Sequence, residues 1–329
     1  MVDVGVIGLG QMGVLHSAIC NALPNGRVSA ICEADARLNH IMAKLVPTIH
    51  FYKDYVQMVD SESLQAIFIC TPAPTHAPLL LGLKSRTKRM ALFVEKPLAT
   101  TAEDARQVAN EFERSNYVTM VGFQKRFAGP FRKAKEFLDQ QILGELAFFR
   151  GHFFGPPNFG ESSIWRFKKG GGGVCLEFGP HVIDLLLWFF GDPNRVEHAS
   201  KSMFSTEVED YAHILLEYEN GLVGHADLCW SMRNFDPGEL MVEVHGKYGT
   251  MNVTEDRLIL HLDKDSVLPA GVHLLHASQL TPQLPYQLAN PEHVLEDVYF
   301  LNCIESNTQP ETNFGNAAKV NSLIDTIVS

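Results

Sequence analysis

The sequence predicts an α/β chain in two parts. Residues 1–122 read as a doubly wound parallel sheet, and residues 123–329 as an α+β domain carrying a large, mostly antiparallel open sheet. Three observations point there. Apolar strand patterns alternate with helical patterns through the first third. A glycine-rich turn stands directly between the first strand and the first helix. Late in the chain, half-apolar segments follow one another with a hairpin signal at Asn220-Gly221. A length of 329 residues suits two domains and is ample for a core without metals or disulfides.

The elements follow in order. Val2 to Ile7 is a buried strand, and Gly8-Leu9-Gly10-Gln11-Met12-Gly13 follows at once. A helical run, Val14 to Leu23, stops at Pro24-Asn25-Gly26. Val28 to Cys32 is the second strand, and the helix after it breaks at Pro47. Short pieces at 50–52 and 55–59 lead to the strand Ala66 to Cys70, a helix near Pro78 to Lys84, and the strand Met90 to Val94. Thr100 with Glu103 reads as a capping box for a helix over Ala102 to Arg114. Val118 to Val121 is a last short strand, so the domain switch falls near Gly122.

The second part opens with a helix over Phe131 to Gln140 and a strand over Leu146 to Phe153. A glycine-rich stretch, Gly170 to Gly173, precedes an apolar helix over Pro180 to Phe190. Tyr211 to Tyr218, Leu222 to Ser231, Leu240 to His245, Thr250 to Val253 and Leu258 to Leu262 then read as an antiparallel meander with one buried face. Residues 263–292 carry no readable pattern.

Composition excludes several function classes. A net charge of −11 repels a phosphate backbone, so no nucleic-acid partner is expected. The longest apolar helical stretch, Val182 to Phe190, is interrupted by Asp184 and too short for a bilayer, so no membrane partner is expected either. The cysteines at 20, 32, 70, 175, 229 and 303 form no CxxC pair, and the histidines show no HExxH spacing, so no metal is expected. The chain opens on a strand pattern without a basic leader, which predicts no signal peptide and a cytoplasmic location.

Gly8, Gly10 and Gly13 satisfy G-x-G-x-x-G after a strand and before a helix, the setting in which the motif binds a dinucleotide pyrophosphate on a helix N-terminus. Gln11 and Met12 complete that turn. Glu33 ends the second strand, 20 residues past Gly13, where a carboxylate grips the adenosine ribose diol. This is a Rossmann fingerprint. The charge of Glu33 would repel a 2′-phosphate and favours NAD over NADP. Arg37 is the nearby cation that could partner such a phosphate.

Two further clusters stand at strand ends: Thr71-Pro72-Ala73-Pro74-Thr75-His76 and Glu95-Lys96-Pro97. With the glycine motif, Gly122-Phe123-Gln124-Lys125-Arg126-Phe127, Trp165-Arg166, Gly171-Gly172-Gly173 and Glu177-x-x-x-His181-x-x-Asp184, they occur in an order that resembles the glucose–fructose oxidoreductase / inositol dehydrogenase / MocA family over nearly the whole chain. On chemistry alone, a histidine suits transfer of an alcohol proton at neutral pH. A lysine can donate to the substrate oxygen and stabilise its developing charge. If one helix runs through Glu177, His181 and Asp184, they share a face, so that Glu177 orients His181 and Asp184 binds a substrate hydroxyl. The resemblance implies the same assignment, with Lys96 and His181 as the catalytic pair and Glu177 and Asp184 beside them. Many members carry Asp where Glu177 stands. The resemblance further implies that Thr71, Pro72, His76, Glu95, Lys96, Trp165 and Arg166 line the cofactor site and that Lys125 and Arg126 face the substrate. His16, His225 and His245 read as core or surface residues.

The leading expectation is an NAD-dependent oxidoreductase moving a hydride between the nicotinamide and a secondary alcohol or ketone of a polyol, sugar or sugar derivative. Two alternatives stay open: an NAD-dependent glycoside-cleaving enzyme, and a non-catalytic dinucleotide-sensing regulator. The resemblance also implies a homodimer or homotetramer packed through the sheet face, for which apolar positions such as Leu215 and Leu222 are suited. Substrate choice is expected in the loops 153–169 and 232–238.

Overall fold

β1 (Val2–Ile7) forms because its run of apolar residues is covered on both faces, as a parallel strand requires. α1 (Gln11–Ala22) starts directly at the glycine turn, three residues before the expected Val14, because the turn itself supplies the first helical residues. β2 (Gly26–Cys32), α2 (Ala36–Leu45), β3 (His50–Tyr52), α3 (Tyr55–Ser61), β4 (Ala66–Ile69), α4 (His76–Arg86), β5 (Ala91–Glu95), α5 (Ala102–Glu113) and β6 (Thr119–Gly122) follow. The six strands lie in the order β3-β2-β1-β4-β5-β6, all parallel. Strand order reverses between β1 and β4, and ligands of such sheets bind outside the carboxyl ends at that point. The start of α5 corrects the expected cap by one residue. Thr101, not Thr100, is the N-cap, and its hydroxyl accepts from the Asp104 backbone N–H at 3.1 Å.

The structure is a computed structural model describing residues 1–87, 90–156, 165–168, 172–205, 207–235, 237–284 and 290–328. It divides into two units, Met1–Phe123 with Tyr286–Asn321, and Gln124–Pro285 with Ser322–Ser329. The sequence reading puts everything past 122 in the second domain, whereas the chain returns to the first unit near its end. The physical reason is aromatic. Phe68 of β4 and Phe93 of β5 stack at 4.7 Å, and Phe300 lies against them at 5.4 and 5.7 Å. No composition shift marks that return.

The second unit begins with α6 (Gly129–Asp139) and β7 (Leu146–Phe154), then α7 (Val174–Glu177) and α8 (Gly179–Phe190). β8 (Arg195–Lys201), β9 (Tyr211–Glu217), β10 (Val223–Cys229), β11 (Glu239–Gly246), β12 (Gly249–Thr254), β13 (Arg257–Leu262) and β14 (Gly271–His276) complete its sheet, and α9 (Ala277–Leu280) follows. β14 and α9 lie in the stretch the sequence left unassigned. The order is β14-β13-β12-β11-β7-β10-β9-β8, antiparallel except for the parallel pair β7–β10. Ala212, Ile214 and Leu216 of β9 and Leu258, Leu260 and Leu262 of β13 turn inward. α6 covers β12 and β13, and α8 covers β7, where Phe149 and Phe190 stack at 4.3 Å.

The other face of this sheet is open. Phe148, Val223, Val272 and Leu274 stand exposed on it. Leu215 also points to this side, half-buried, whereas Leu222 is 2% exposed and belongs to the core, because it lies in the turn before β10 rather than on a strand face. α10 (Pro291–Ser306) belongs to the first unit, and the last helix, α11 (Phe314–Val328), is divided between the units after Asn321.

Candidate active site

The glycine turn is shaped by three different constraints. Gly8 has φ +95, and a Cβ there would press on Thr71 and the Cys70 carbonyl. A Cβ at Gly13 would collide with the Gly8 carbonyl oxygen. At Gly10 a Cβ would meet nothing within 4 Å. Gly8 and Gly13 are therefore needed by the chain itself, while Gly10 leaves open space over the N-terminus of α1. That space, beside N–H groups at a helix start, is what a dinucleotide pyrophosphate fits. Gln11 is exposed and Met12 half-buried in the same turn.

Glu33 lies beside the turn. Its carboxylate accepts from the Leu9 N–H at 2.8 Å and from the Asp35 N–H at 2.9 Å. It is thus fixed at the carboxyl end of β2, the position for a ribose diol. Arg37 is exposed in the first turn of α2, and its backbone N–H bonds the Asp35 cap at 2.7 Å.

Two strand ends follow across the sheet. His76 is 1% exposed, and its ring nitrogens lie 2.7 Å from the Pro97 carbonyl and 2.8 Å from the Thr71 carbonyl. The ring latches the Thr71-Pro72 turn to the Glu95-Lys96-Pro97 segment. Burial pushes its pKa down against the pull of both carbonyls. Thr71 and Lys96 are half-buried, Pro72 is exposed, and the Lys96-Pro97 peptide is cis. The Lys96 N–H reaches Glu95 Oε2 at 3.3 Å.

In the second unit, one cavity of about 290 Å³ is lined by Lys125, Arg166, Glu177, Phe178, Trp230 and Glu255, with Phe153 and Phe167 among its further walls. Lys125 is 7% exposed and pairs with Glu255 at 2.7 Å. Arg166 pairs with Glu177 at 3.3 Å, and its guanidinium lies over the Trp165 ring at 5.3 Å. Gly172 and Gly173 make this approach possible. A Cβ on Gly172 would collide with the Arg166 backbone, and Gly173 has φ +105 with the Glu209 carboxylate against it. Gly171 of the triple-glycine motif lies outside the described residues, as do 157–164, 169 and 236 of the two expected specificity loops.

The chain does not run as one helix through Glu177, His181 and Asp184. α7 ends at Glu177 and α8 starts at Gly179, with a turn at Phe178. Pro180, which lacks an N–H, sits in the first turn of α8 and divides the run into two helices, while Phe178 keeps right-handed helical angles and His181 and Asp184 stand three residues apart on α8. His181 is 7% exposed, with its ring against Phe153 at 5.8 Å. Asp184 is 1% exposed and accepts a two-pronged bond from Arg126, 2.7 Å for each N–H. The two residues expected to face a substrate separately are thus partners, and Arg126 also lies over Trp188 at 5.4 Å.

Sequence reasoning missed Glu255 and Trp230. Glu255 sits in the turn between β12 and β13, where an acid carries no signal. Trp230 follows β10, and its indole N–H donates to Asp210 at 3.0 Å. The other oxygen of Asp210 accepts from the backbone N–H groups of Met203, Phe204 and Ser205 at 2.7, 2.6 and 3.0 Å. His16, read from the sequence as a core or surface residue, is a core residue. It is fully buried, with Nδ1 against Asp297 and Nε2 against Glu95.

Comparison with known proteins adds family information to this geometry. Residues 2–123 match the family model described as oxidoreductase family, NAD-binding Rossmann fold, and residues 131–252 match the GFO/IDH/MocA C-terminal domain. The chain is 25% identical over 269 residues to myo-inositol 2-dehydrogenase of Thermotoga maritima, covering 78% of this chain and 77% of that protein. It is 25% identical to D-apiose dehydrogenase of Paraburkholderia graminis, covering 97% of this chain and 85% of that one. A solved levoglucosan dehydrogenase in complex with NADH and levoglucosan has a TM-score of 0.87 at 23% identity, over 99% of this chain and 96% of the other.

Proposed function

The chain belongs to the GFO/IDH/MocA oxidoreductase family, and from that premise we propose that it is an NAD-dependent dehydrogenase of a neutral polyol, sugar or sugar derivative. The observation that carries the reading is the glycine turn, where Gly10 alone leaves open space over the start of α1. Gly8, Gly10, Gln11, Met12 and Gly13 would hold the pyrophosphate, and Glu33 the adenosine ribose. The negative charge of Glu33 supports NAD over NADP. Thr71, Pro72, Glu95, Trp165 and Arg166 belong to the same proposed site, with His76 holding its strand ends in place. When bound, the nicotinamide supplies a hydride acceptor.

In this proposal Lys96 donates from Nζ to the reacting substrate oxygen and stabilises its charge. His181 takes the hydroxyl proton in oxidation and returns it in reduction. The cavity supports the substrate class. Aromatic faces at Phe178 and Trp230 suit the C–H face of a sugar ring. Both cations on its walls are already neutralised, Lys125 by Glu255 and Arg166 by Glu177, which favours an uncharged polyhydroxylated ring over a sugar acid or phosphate. Asp184 holds the Arg126 guanidinium in a fixed orientation.

The open sheet face supports a homo-oligomer, because exposed apolar residues such as Val272, 71% exposed, and Leu274, 49% exposed, gain from cover. A cytoplasmic location is part of the same proposal. No helix among the described residues is long and apolar enough to cross a membrane, and the six cysteines are free thiols, all buried.

The test is turnover with NAD⁺ and NADP⁺ side by side, using myo-inositol, D-apiose and levoglucosan as probes and reading absorbance of the reduced nicotinamide. Turnover preferring NAD⁺, lost in Lys96→Ala with NAD⁺ binding retained, is the expected result. Tight NAD⁺ binding without oxidation of any probe, accompanied by aglycone release from glycosides, would overturn it.

A further inference from the structure

A buried ion cluster in the first unit touches the proposed site only through Glu95, and its other members, His16 and Asp297, have no part in the chemistry described so far. His16, on the second turn of α1, is fully buried. Its Nδ1 lies 2.8 and 2.9 Å from the two oxygens of Asp297, and its Nε2 lies 2.9 Å from Oε1 of Glu95. A neutral imidazole offers one donor and one acceptor. Two carboxylates facing the two nitrogens therefore match a ring that donates from both. The rings of Phe93 and Phe68 pack against it at 4.9 and 5.4 Å, so water does not compete.

The charges are shared unevenly across the cluster: burial, with the neighbouring Glu95, pushes Asp297 above the ordinary carboxylate value against the pull of His16. Burial by itself would push the His16 imidazolium down, but Asp297 and Glu95 outweigh it and hold the group well above the usual histidine range. Burial pushes Glu95 up, yet its bond to His16 wins and holds it below the ordinary carboxylate value. Lys96 and His293 add positive charge near Glu95. The thiols of Cys20 and Cys70 lie within the field of Asp297 and are pushed up by burial. Glu296 also acts on Cys70.

Three elements meet at this ring: α1, which begins at the glycine turn, the end of β5, and α10. Glu95 is the residue before Lys96, and its second oxygen already accepts from the Lys96 backbone N–H. We propose that His16, clamped between Asp297 and Glu95, is a positioning residue that fixes the Glu95-Lys96 backbone against the helix carrying the glycine turn and so sets where the Lys96 ammonium stands. The importance of that placement for turnover rests on the proposed catalytic role of Lys96. The clamp itself does not depend on it.

The experiment uses the full chain and reads the two atoms at issue. Lysines are dimethylated with ¹³C-formaldehyde, and the Lys96 signal is assigned by Lys96→Arg. Its shift and titration midpoint are compared in wild type, His16→Gln and Asp297→Asn. Separately, ¹⁵N-histidine spectra of unmodified wild type report the His16 ring, assigned by His16→Gln. The expected result is a His16 ring protonated on both nitrogens at pH 8, and a Lys96 signal displaced in both variants. With a turned-over probe sugar, kcat is expected to fall roughly 10- to 100-fold at near-constant KM, the scale of a misplaced catalytic group. A His16 ring with one proton at pH 8 would overturn the proposal. So would variants that melt earlier while the Lys96 signal stays unmoved, since that is a merely structural role. If no probe sugar is oxidised by wild type, the dehydrogenase reading fails while the Lys96 signal still decides the clamp. If His16→Gln does not fold, Asp297→Asn decides the Lys96 comparison. The His16 ring is then assigned in wild type by its through-space contacts to the Phe68 and Phe93 rings, and its protonation is read at pH 8 as before.

Discussion

A methyl group at Gly10 has room, and one at Gly13 does not. The two glycines of one motif should therefore fail in different ways. Gly10→Ala is expected to change stability by less than about 1 kcal/mol, since the residue is only a helix cap, while its methyl group enters the space proposed for the pyrophosphate. Thermal melts alongside NAD⁺ titrations check this, with near-normal melting and at least a tenfold loss of NAD⁺ affinity as the expected pair. Gly13→Ala should instead melt early in the absence of any ligand. Asp210 gives a prediction in pH. Burial would raise its pKa, but the N–H groups of Phe204 and Ser205, the Trp230 indole and the Met203 N–H win and hold it below the usual range. A depressed carboxylate contributes stability that is full above its unfolded value of about 3.9 and fades as pH falls through the folded value. The melting gap between wild type and Asp210→Asn should thus be widest at neutral pH and narrow steadily below about pH 4.

At the scale of elements, the cap of α5 is the plainest test. Thr101 accepts from the Asp104 N–H, so Thr101→Ala is expected to cost about 1 kcal/mol and Thr100→Ala close to nothing, measured by urea denaturation. The pair Thr100-Thr101 also shows where sequence reasoning stops. Both threonines have an acid three residues on, and only backbone geometry chooses between Glu103 and Asp104. The parallel strands were legible because their apolar runs are covered on both faces and end at glycine, proline or charge. The joint at Phe178 was not. Spacing alone continues a helix through Glu177, His181 and Asp184, and the break depends on how Pro180 sits in a fresh first turn. β8 hid for another reason. Among its seven residues only Val196 and Ala199 are apolar, so no alternation marks it as a strand.

For the whole molecule, the glycine turn and the place of Glu33 beside it were readable because they act through local backbone, whereas the cavity walls were not. Glu255 reaches Lys125 across 130 residues of chain, and Asp297 reaches His16 across 281. Such pairs exist only once the sheets are assembled. The open sheet face carries a prediction at this scale. Wild type should sediment as a dimer or tetramer at micromolar concentration, and Val272→Asp with Leu274→Asp should shift it toward the monomer. A wild type that sediments only as monomer would remove the proposed assembly. Asp210, finally, ties two distant things together: the exposed loop bearing Met203 and Phe204, and the indole that walls the cavity. A change in that loop re-aims an aromatic wall without a substitution among the cavity's own side chains. Under the proposed function, a lineage would change its substrate through residues no inspection of the cavity would flag, and the loop at 203–205 is a place to look for that drift.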